Sequence, residues 1–302
     1  MVSVVAKGLD VSKHQKTVDW EKVKAAGIQF AIIRAGFGRN NIDPYFKRNI
    51  TECARLGIPV GIFWFSYALN EAEAKKEAEY CLAAIEPYEI EYPVFFDLEY
   101  DTADYMKKNG VTLTKSIATR HAEVFLAAIE DAEYYAGLYA NPDYLGRFFD
   151  ASLLQKYDLW LAHYMDNPDL SSPSRSCGVW QHSSTGMVSG ISGHVDLDVC
   201  YKDYPAIIRA AGKNRLTPLD GWVQRDGGWY WYEGGRAVTN CWRKVTGASG
   251  VAYWYYLGPG GKMLTGMQQI QGKIYYLNPS AALGVPEGAC IMTDEDGVVY
   301  RG

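Results

Sequence analysis

The 302-residue chain lacks the features that would tie it to nucleic acid, a membrane or a metal. Its formal charge at pH 7 is −5, so it offers no net positive field to a polyanion. It has no run of about eighteen apolar residues, the length a membrane-spanning helix needs. The six cysteines stand at 53, 81, 177, 200, 241 and 290, and no two have CxxC spacing, so zinc is not expected. A dinucleotide fingerprint is missing as well, because AGFGRN follows a strand-like run but lacks the third glycine. Neither a metal nor a cofactor is therefore expected. The opening, MVSVVAKGLD, has no basic n-region and no long apolar h-region, so no signal peptide is evident. Cys53 and Cys81 fall in helical patterns, where a free cysteine is usually a small core residue. Cys177 and Cys200 flank strand-like segments, and their pairing is left open.

Phenylalanine is missing from one part of the chain. All ten Phe precede residue 219, whereas five of the nine Trp follow it. Seven Lys and Arg balance seven Asp and Glu in that tail, so the whole net charge belongs to the first part. These shifts set an expected division into a domain over 1–212, a linker over 213–218 (within GKNRLTPLDG) and a second domain over 219–302.

In the first part, eight apolar runs read as strands: 8–11, 30–35, 58–65, 92–98, 134–139, 159–163, 178–181 and 194–198. Helical patterns lie between the early ones. Asp19 is expected to cap TVDWEKVKAAG and Gly27 to stop it. In DPYFKRNITECARLG, Asp43 is expected to cap, Pro44 to take the first helical position and Gly57 to end the helix. Asn70 caps NEAEAKKEAEYCLAAIE, whose first turn is acidic, and KSIATRHAEVFLAAIE is a further helix. After residue 160 the strands follow closely with little room for helices. The pattern predicts an α/β fold, an irregular (β/α)8-type barrel whose last strands lack helices, rather than a doubly wound sheet. A small all-β domain of hairpin repeats follows it.

Four carboxylates stand at strand ends: Asp10 in KGLDVSKHQ, Asp97 and Glu99 in YPVFFDLEY, and Asp196 in SGHVDLDVC. In a barrel such ends meet at one mouth. Asp97 and Glu99 are two apart, which on extended backbone puts both on one face. A pair that close splits its proton affinities, one group staying protonated and the other ionised, and glycosidic cleavage needs that division. Any one of these acids alone reads as a cap or a surface ion pair; four in this register do not. Aromatics cluster at the same strand ends: Trp64 and Tyr67 in FWFSYA, Tyr139 in GLYAN, Trp160 and Tyr164 in LWLAHY. With Gln181 in VWQH, they are candidate sugar platforms and polar contacts. His14 reads as a satisfied polar histidine near the site, with a base or metal ligand as the alternative, whereas His163, His182 and His194 fit no metal spacing and structural roles are expected for them.

The tail repeats an aromatic strand, a Gly-rich turn and a second strand with a period of about twenty residues: GWVQRDGGWYWYEGGRAVTNCW, VAYWYYLGPGGKMLTGMQQ, IQGKIYYLNP. Hairpins of this kind bury a face only by stacking on neighbours.

Taken in order, KGLDVSKHQ, DWEKVKAAGIQFAIIRAGFG, GIPVGIFWFSYA, YPVFFDLE, GLYANPDYL, LWLAHY and VWQHSSTG…ISGHVDLDVC resemble glycoside hydrolase family 25, over about residues 6–210. The resemblance implies an enzyme, a lysozyme-type N-acetylmuramidase that cuts the β-1,4 bond between N-acetylmuramic acid and N-acetylglucosamine of peptidoglycan. It implies Glu99 as general acid, Asp97 as guide of the substrate's 2-acetamido group (or, as runner-up, direct nucleophile), Asp10 and Asp196 as the charge network around them, and Asp198 as a lesser substrate-binding candidate. The tail resembles choline-binding cell-wall repeats, which implies aromatic cages for a quaternary ammonium. Their candidates are Trp222, Trp229, Trp231, Trp242, Trp254, Tyr256 and Met263. Met267 and Ile274 stand where that pattern has Trp, so at most two cages are expected, and the simpler alternative is aromatics that only hold the hairpins together. The expected partners are peptidoglycan and choline or another wall polymer group, with self-association through the tail left open. The expected place of action is the bacterial wall, reached by a phage endolysin through a separate pore or by a secreted autolysin. Two alternatives stay open: a catalytically silent wall-binding protein, and a chitinase-like glycosidase, although Phe95 occupies the position where the chitinase pattern needs an Asp.

Overall fold

The computed structural model describes residues 2–225, 227–247, 249–281 and 284–291. The chain divides into two compact units, Met1–Leu216 and Thr217–Gly302. The end of the expected repeat domain, 292–302, lies outside the described residues.

Nine strands build the sheet of the first unit: β1 (Ala6–Val11), β2 (Phe30–Phe37), β3 (Asn41–Ile42), β4 (Val60–Phe65), β5 (Val94–Asp97), β6 (Ala136–Ala140), β7 (Asp158–Ala162), β8 (Val179–Gly186) and β9 (Val195–Cys200). Their order is β1-β9-β8-β7-β6-β5-β4-β2-β3, and β2 pairs back onto β1, so eight strands close a barrel and β3 folds over the end of β2. Pairing is parallel from β1 through β2 and on to β8. It is antiparallel on both sides of β9. The cause is the connection: only residues 187–194 separate β8 from β9, too few for the crossover that a parallel neighbour requires. This is the expected irregular barrel with helix-poor last strands.

Side-chain parity sorts the barrel into two layers. On β5, Val94 and Phe96 face outward, where Phe96 meets Phe125 of an outer helix at 5.1 Å, while Phe95 and Asp97 face the interior. Each such buried aromatic contributes about 2 kcal/mol of transfer free energy. Gly137 on β6 makes room for this core: a Cβ there would lie 2.5 Å from the Phe95 ring.

The outer layer holds α1 (Trp20–Ala25), α2 (Phe46–Leu56), α3 (Glu71–Ile85), α4 (Tyr100–Lys108), α5 (Lys115–Asp131), α6 (Pro142–Arg147), α7 (Ala151–Lys156) and α8 (Tyr204–Ala210). Asp19 and Asn70 cap as expected, accepting from Lys22 N at 3.2 Å and Glu73 N at 3.0 Å. Gly57 ends α2 at φ 64°. The start of α2 differs: it begins at Phe46, and Asp43 is not its cap. Asp43 Oδ2 accepts from Arg34 Nε at 2.9 Å and Lys13 N at 2.8 Å, so a buried charge claims that oxygen, while Oδ1 accepts from Tyr45 N at 3.0 Å ahead of the helix. Part of the expected linker is also core. Asn214 is buried, accepts from Tyr135 N at 2.7 Å and donates to Ile90 O at 2.8 Å, and Leu216 packs into the barrel interior. No described helix is long and apolar enough to cross a membrane.

Among the described residues, the second unit has three antiparallel sheets. The first joins β10 (Gly221–Arg225), β11 (Gly228–Glu233) and β12 (Arg236–Ala237). The second pairs β13 (Cys241–Thr246) with β14 (Ala252–Leu257). The third joins β15 (Gly266–Ile270), β16 (Lys273–Leu277) and β17 (Cys290–Ile291). Main-chain bonds from Met263 N to Trp229 O (2.7 Å) and from Leu264 N to Tyr256 O (3.0 Å) stitch the first two hairpins to the turn that follows them.

Candidate active site

Asp97 is the last residue of β5, and extended backbone at Glu99 (φ −130°, ψ −170°) carries the strand's alternation past it. Leu98 therefore packs outward while both acids line one cleft of about 210 Å³. Asp10 of β1 and Asp196 of β9 enter the same cleft and stand opposite each other in register. The route of Asp196 differs from the expected one. It is the second residue of an antiparallel strand, so it reaches the mouth from a strand's beginning.

Burial dominates the electrostatics. It raises Glu99 to about 7, with the Asp101 and Asp196 charges adding and a hydrogen bond with Asp97 opposing. Burial and the Glu99 charge push Asp97 well above the carboxylate range, against the pull of the Arg34 guanidinium. Burial and mutual repulsion thus disfavour two negative charges on this pair. Asp97 is almost fully buried, whereas Glu99 is half-buried and open to the cleft. On the opposite wall, burial raises Asp196 to about 6 and Asp198 to about 8. Burial and those two charges raise Asp10 well above its usual range. Such a site can pass a proton to a leaving oxygen while keeping a negative charge beside the reacting carbon. No group of three or more His, Cys, Asp or Glu among the described residues is arranged to hold a metal ion.

The remaining candidates divide. Tyr139, Trp160, Tyr164 and Gln181 line the cleft. Gln181 Oε1 accepts from Tyr139 at 3.0 Å and Tyr164 at 2.8 Å, and its amide donates to Asp10 at 2.5 Å, which fixes the amide's orientation. Asp198 lies beneath this layer and accepts from Trp160 Nε1 at 2.7 Å, so it supports the floor and does not line the cleft. Trp64 is a correction: it is fully buried in the layer under the helices, because on β4 Phe63 and Phe65 take the inward positions. Tyr67 borders a neighbouring cavity, with its ring 5.1 Å from Phe65.

The cleft also contains residues not anticipated: Ser12, Arg34, Phe63 and Phe65. Arg34 carried a readable signal, a lone cation inside the apolar run FAIIRAGF. Its Nη2 lies 2.8 Å from Asp43, which anchors its charge beside Asp97. His14 lines the cleft as well. His163 and His194 are structural, bonded to Ser174 Oγ (2.7 Å) and Thr185 O (3.1 Å), and His182 packs on Trp180. All six cysteines are free, Cys177 and Cys200 included.

In the tail the candidate cage residues form two aromatic clusters. Trp222 touches Trp229, Trp231 and Tyr255 at ring separations of 6.4, 5.3 and 4.8 Å. Trp242 touches Tyr256 at 5.1 Å and Tyr275 at 4.8 Å. Trp254 joins neither, and the Lys244 ammonium sits 5.9 Å from its ring. Met263 is a correction too, because it is buried in the hairpin core, where Gly288 leaves space for its thioether. Met267 and Ile274 are exposed.

The sequence profile of the glycosyl hydrolases of family 25 matches residues 9–191. Protein YegX of Escherichia coli (strain K12), itself uncharacterized, is 28% identical over 64% of this chain and 68% of its own length. Lysozyme M1 of Streptomyces globisporus is 29% identical over 63% of this chain and 65% of its own. Among solved structures, the modular Cpl-1 endolysin complexed with a peptidoglycan analogue covers 97% of this chain and 83% of its own. It does so at 21% identity with a TM-score of 0.56, a likeness of fold across both units.

Proposed function

The chain belongs to the glycosyl hydrolases of family 25, a lysozyme-type family, and on that premise we propose that it is a muramidase of bacterial cell-wall peptidoglycan. It cuts the β-1,4 bond between N-acetylmuramic acid and N-acetylglucosamine. Glu99 protonates the leaving oxygen. Asp97, buried behind it, orients and polarises the 2-acetamido group that attacks the anomeric carbon. The observation that carries the assignment is the pair of carboxyls in one cleft, Asp97 buried and Glu99 open to it, with burial raising Glu99 to about 7. Asp10 and Asp196 hold the facing wall, and Gln181 with its two tyrosines offers polar and aromatic contacts to a sugar. A silent barrel would have no reason to keep such costly acids together. Digestion of purified walls is expected to release new muramic acid reducing ends. New glucosamine ends, or none, would remove the reading. Trapping a covalent glycosyl–Asp97 species would replace acetamido attack by direct nucleophilic attack.

The tail anchors the enzyme to the wall and raises its effective concentration on an insoluble substrate. The half-exposed Trp242–Tyr256–Tyr275 cluster takes a quaternary ammonium such as choline. Trp242→Ala in the full chain is expected to weaken wall retention about tenfold, and free choline to release the unaltered protein. Retention insensitive to choline would leave these rings a packing role only.

A further inference from the structure

Beside the acid cleft lies a second cavity, of about 610 Å³, lined by charged side chains that do not enter the acid cleft. One wall is a single face of α4: Asp101, Asp104, Tyr105 and Lys108 fall at i, i+3, i+4 and i+7. The opposite wall is the β2–β3 hairpin, from which Arg39 projects. Tyr67 stands between the two cavities. Its ring packs on Phe65, which lines the cleft, and lies 5.0 Å from Tyr105, and its backbone N–H is held at 2.8 Å by the buried Glu77. Because Glu99 is the N-cap of α4, the charged face starts two residues beyond the acid itself.

The lining suits a zwitterion. The side chains of Asp101, Asp104 and Lys108 have no hydrogen-bond or ion-pair partner among the described residues. Arg39 already pairs with Glu73 at 2.7 Å. An uncharged sugar would leave both signs idle, whereas a peptide bearing carboxylates and an amine would engage both, with the tyrosine rings against its methyl groups. Muramic acid carries a peptide of this chemistry on the carbon next to the acetamido-bearing one. We propose that the cavity receives that peptide stem while the glycan lies in the acid cleft. The assignment deepens the muramidase reading and rests on it.

The test uses the full chain and two substrates, glycan strands with intact stems and the same strands stripped of peptide by an amidase. The double variant Asp104→Asn, Lys108→Met changes two exposed side chains. It is expected to lower the ratio of kcat/KM on stem-bearing to stripped strands roughly tenfold, the scale of lost charge-assisted contacts. An unchanged ratio, with unaltered protein still releasing muramic acid ends from both substrates, would overturn the peptide assignment alone. Failure of the unaltered protein to release such ends from either substrate would overturn both readings.

Discussion

Glu99→Gln is expected to lower kcat on purified peptidoglycan about 1,000-fold, within the range that general acid catalysis supplies, while KM stays within roughly twofold. The amide keeps the size of the carboxyl and its place at the start of α4, where Thr102 Oγ1 accepts from the residue 99 N–H at 3.2 Å. It cannot release a proton to a leaving oxygen. Unfolding is not expected to worsen, because burial makes charge at this position costly. The same assignment fixes the pH dependence. Glu99 works protonated, and burial holds its titration at about 7. The unaltered enzyme should lose activity as pH rises through about 7, close to tenfold per unit above it, and the residual rate of the Gln variant should lose that limb. Equal rates for both proteins on the same walls would show that another group donates the proton.

What could be read from the residues alone depended on whether one face of a strand differs from the other. Asp97 and Glu99 were legible because a period of two places them together, and the apolar Leu98 between them confirms the alternation. Trp64 was not legible. In VGIFWF both faces are buried, so the run carries no alternation to tell inside from outside. Only the in-register pairing of Phe65 with Asp97 settles it. Asp196 was placed at the mouth, yet the direction of its strand is a property of the short connection from β8, which composition does not express. A cap at Asp43 is a local expectation, whereas its partner Arg34 lies on β2, outside any local window.

The tail shows the same limit. Hairpin register makes Trp242 and Tyr256 direct neighbours across β13 and β14, although the repeat placed them in successive units, whereas Tyr255 and Tyr275 meet Trp222 and Trp242 from other sheets. Met263 fits the repeat by position but follows a Gly-rich turn that tucks it inward against Gly288. Four short helices also escaped, α4, α6, α7 and α8, of six to nine residues each. Segments that short have weak helical periodicity, and their stability comes from packing on the barrel.

Asp198→Asn is expected to stabilise the protein at pH 8 and to do little at pH 4. Asp198 is buried under the cleft, and burial together with the Asp196 charge raises it to about 8, with the Trp160 hydrogen bond opposing. In the unfolded chain an aspartate titrates near 3.9, roughly. The folded state therefore binds a proton that the unfolded state has already lost between about pH 4 and pH 8. Stability tied to this group is complete below the unfolded value and drains away as pH rises through the folded one. At about 1.4 kcal/mol per unit, a gap of about four units sets an upper limit near 5 kcal/mol. Asparagine keeps an oxygen for Trp160 Nε1 and an N–H₂ directed toward Asp10, and it has no charge to bury. A rise in Tm of roughly 5 °C or more at pH 8, absent at pH 4, is the result that thermal unfolding followed by circular dichroism should give. An equal rise at both pH values would assign the gain to packing. A fall at pH 8 would mean that the ionised form of Asp198 holds the floor of the site together, as a structural ion accepting from Trp160.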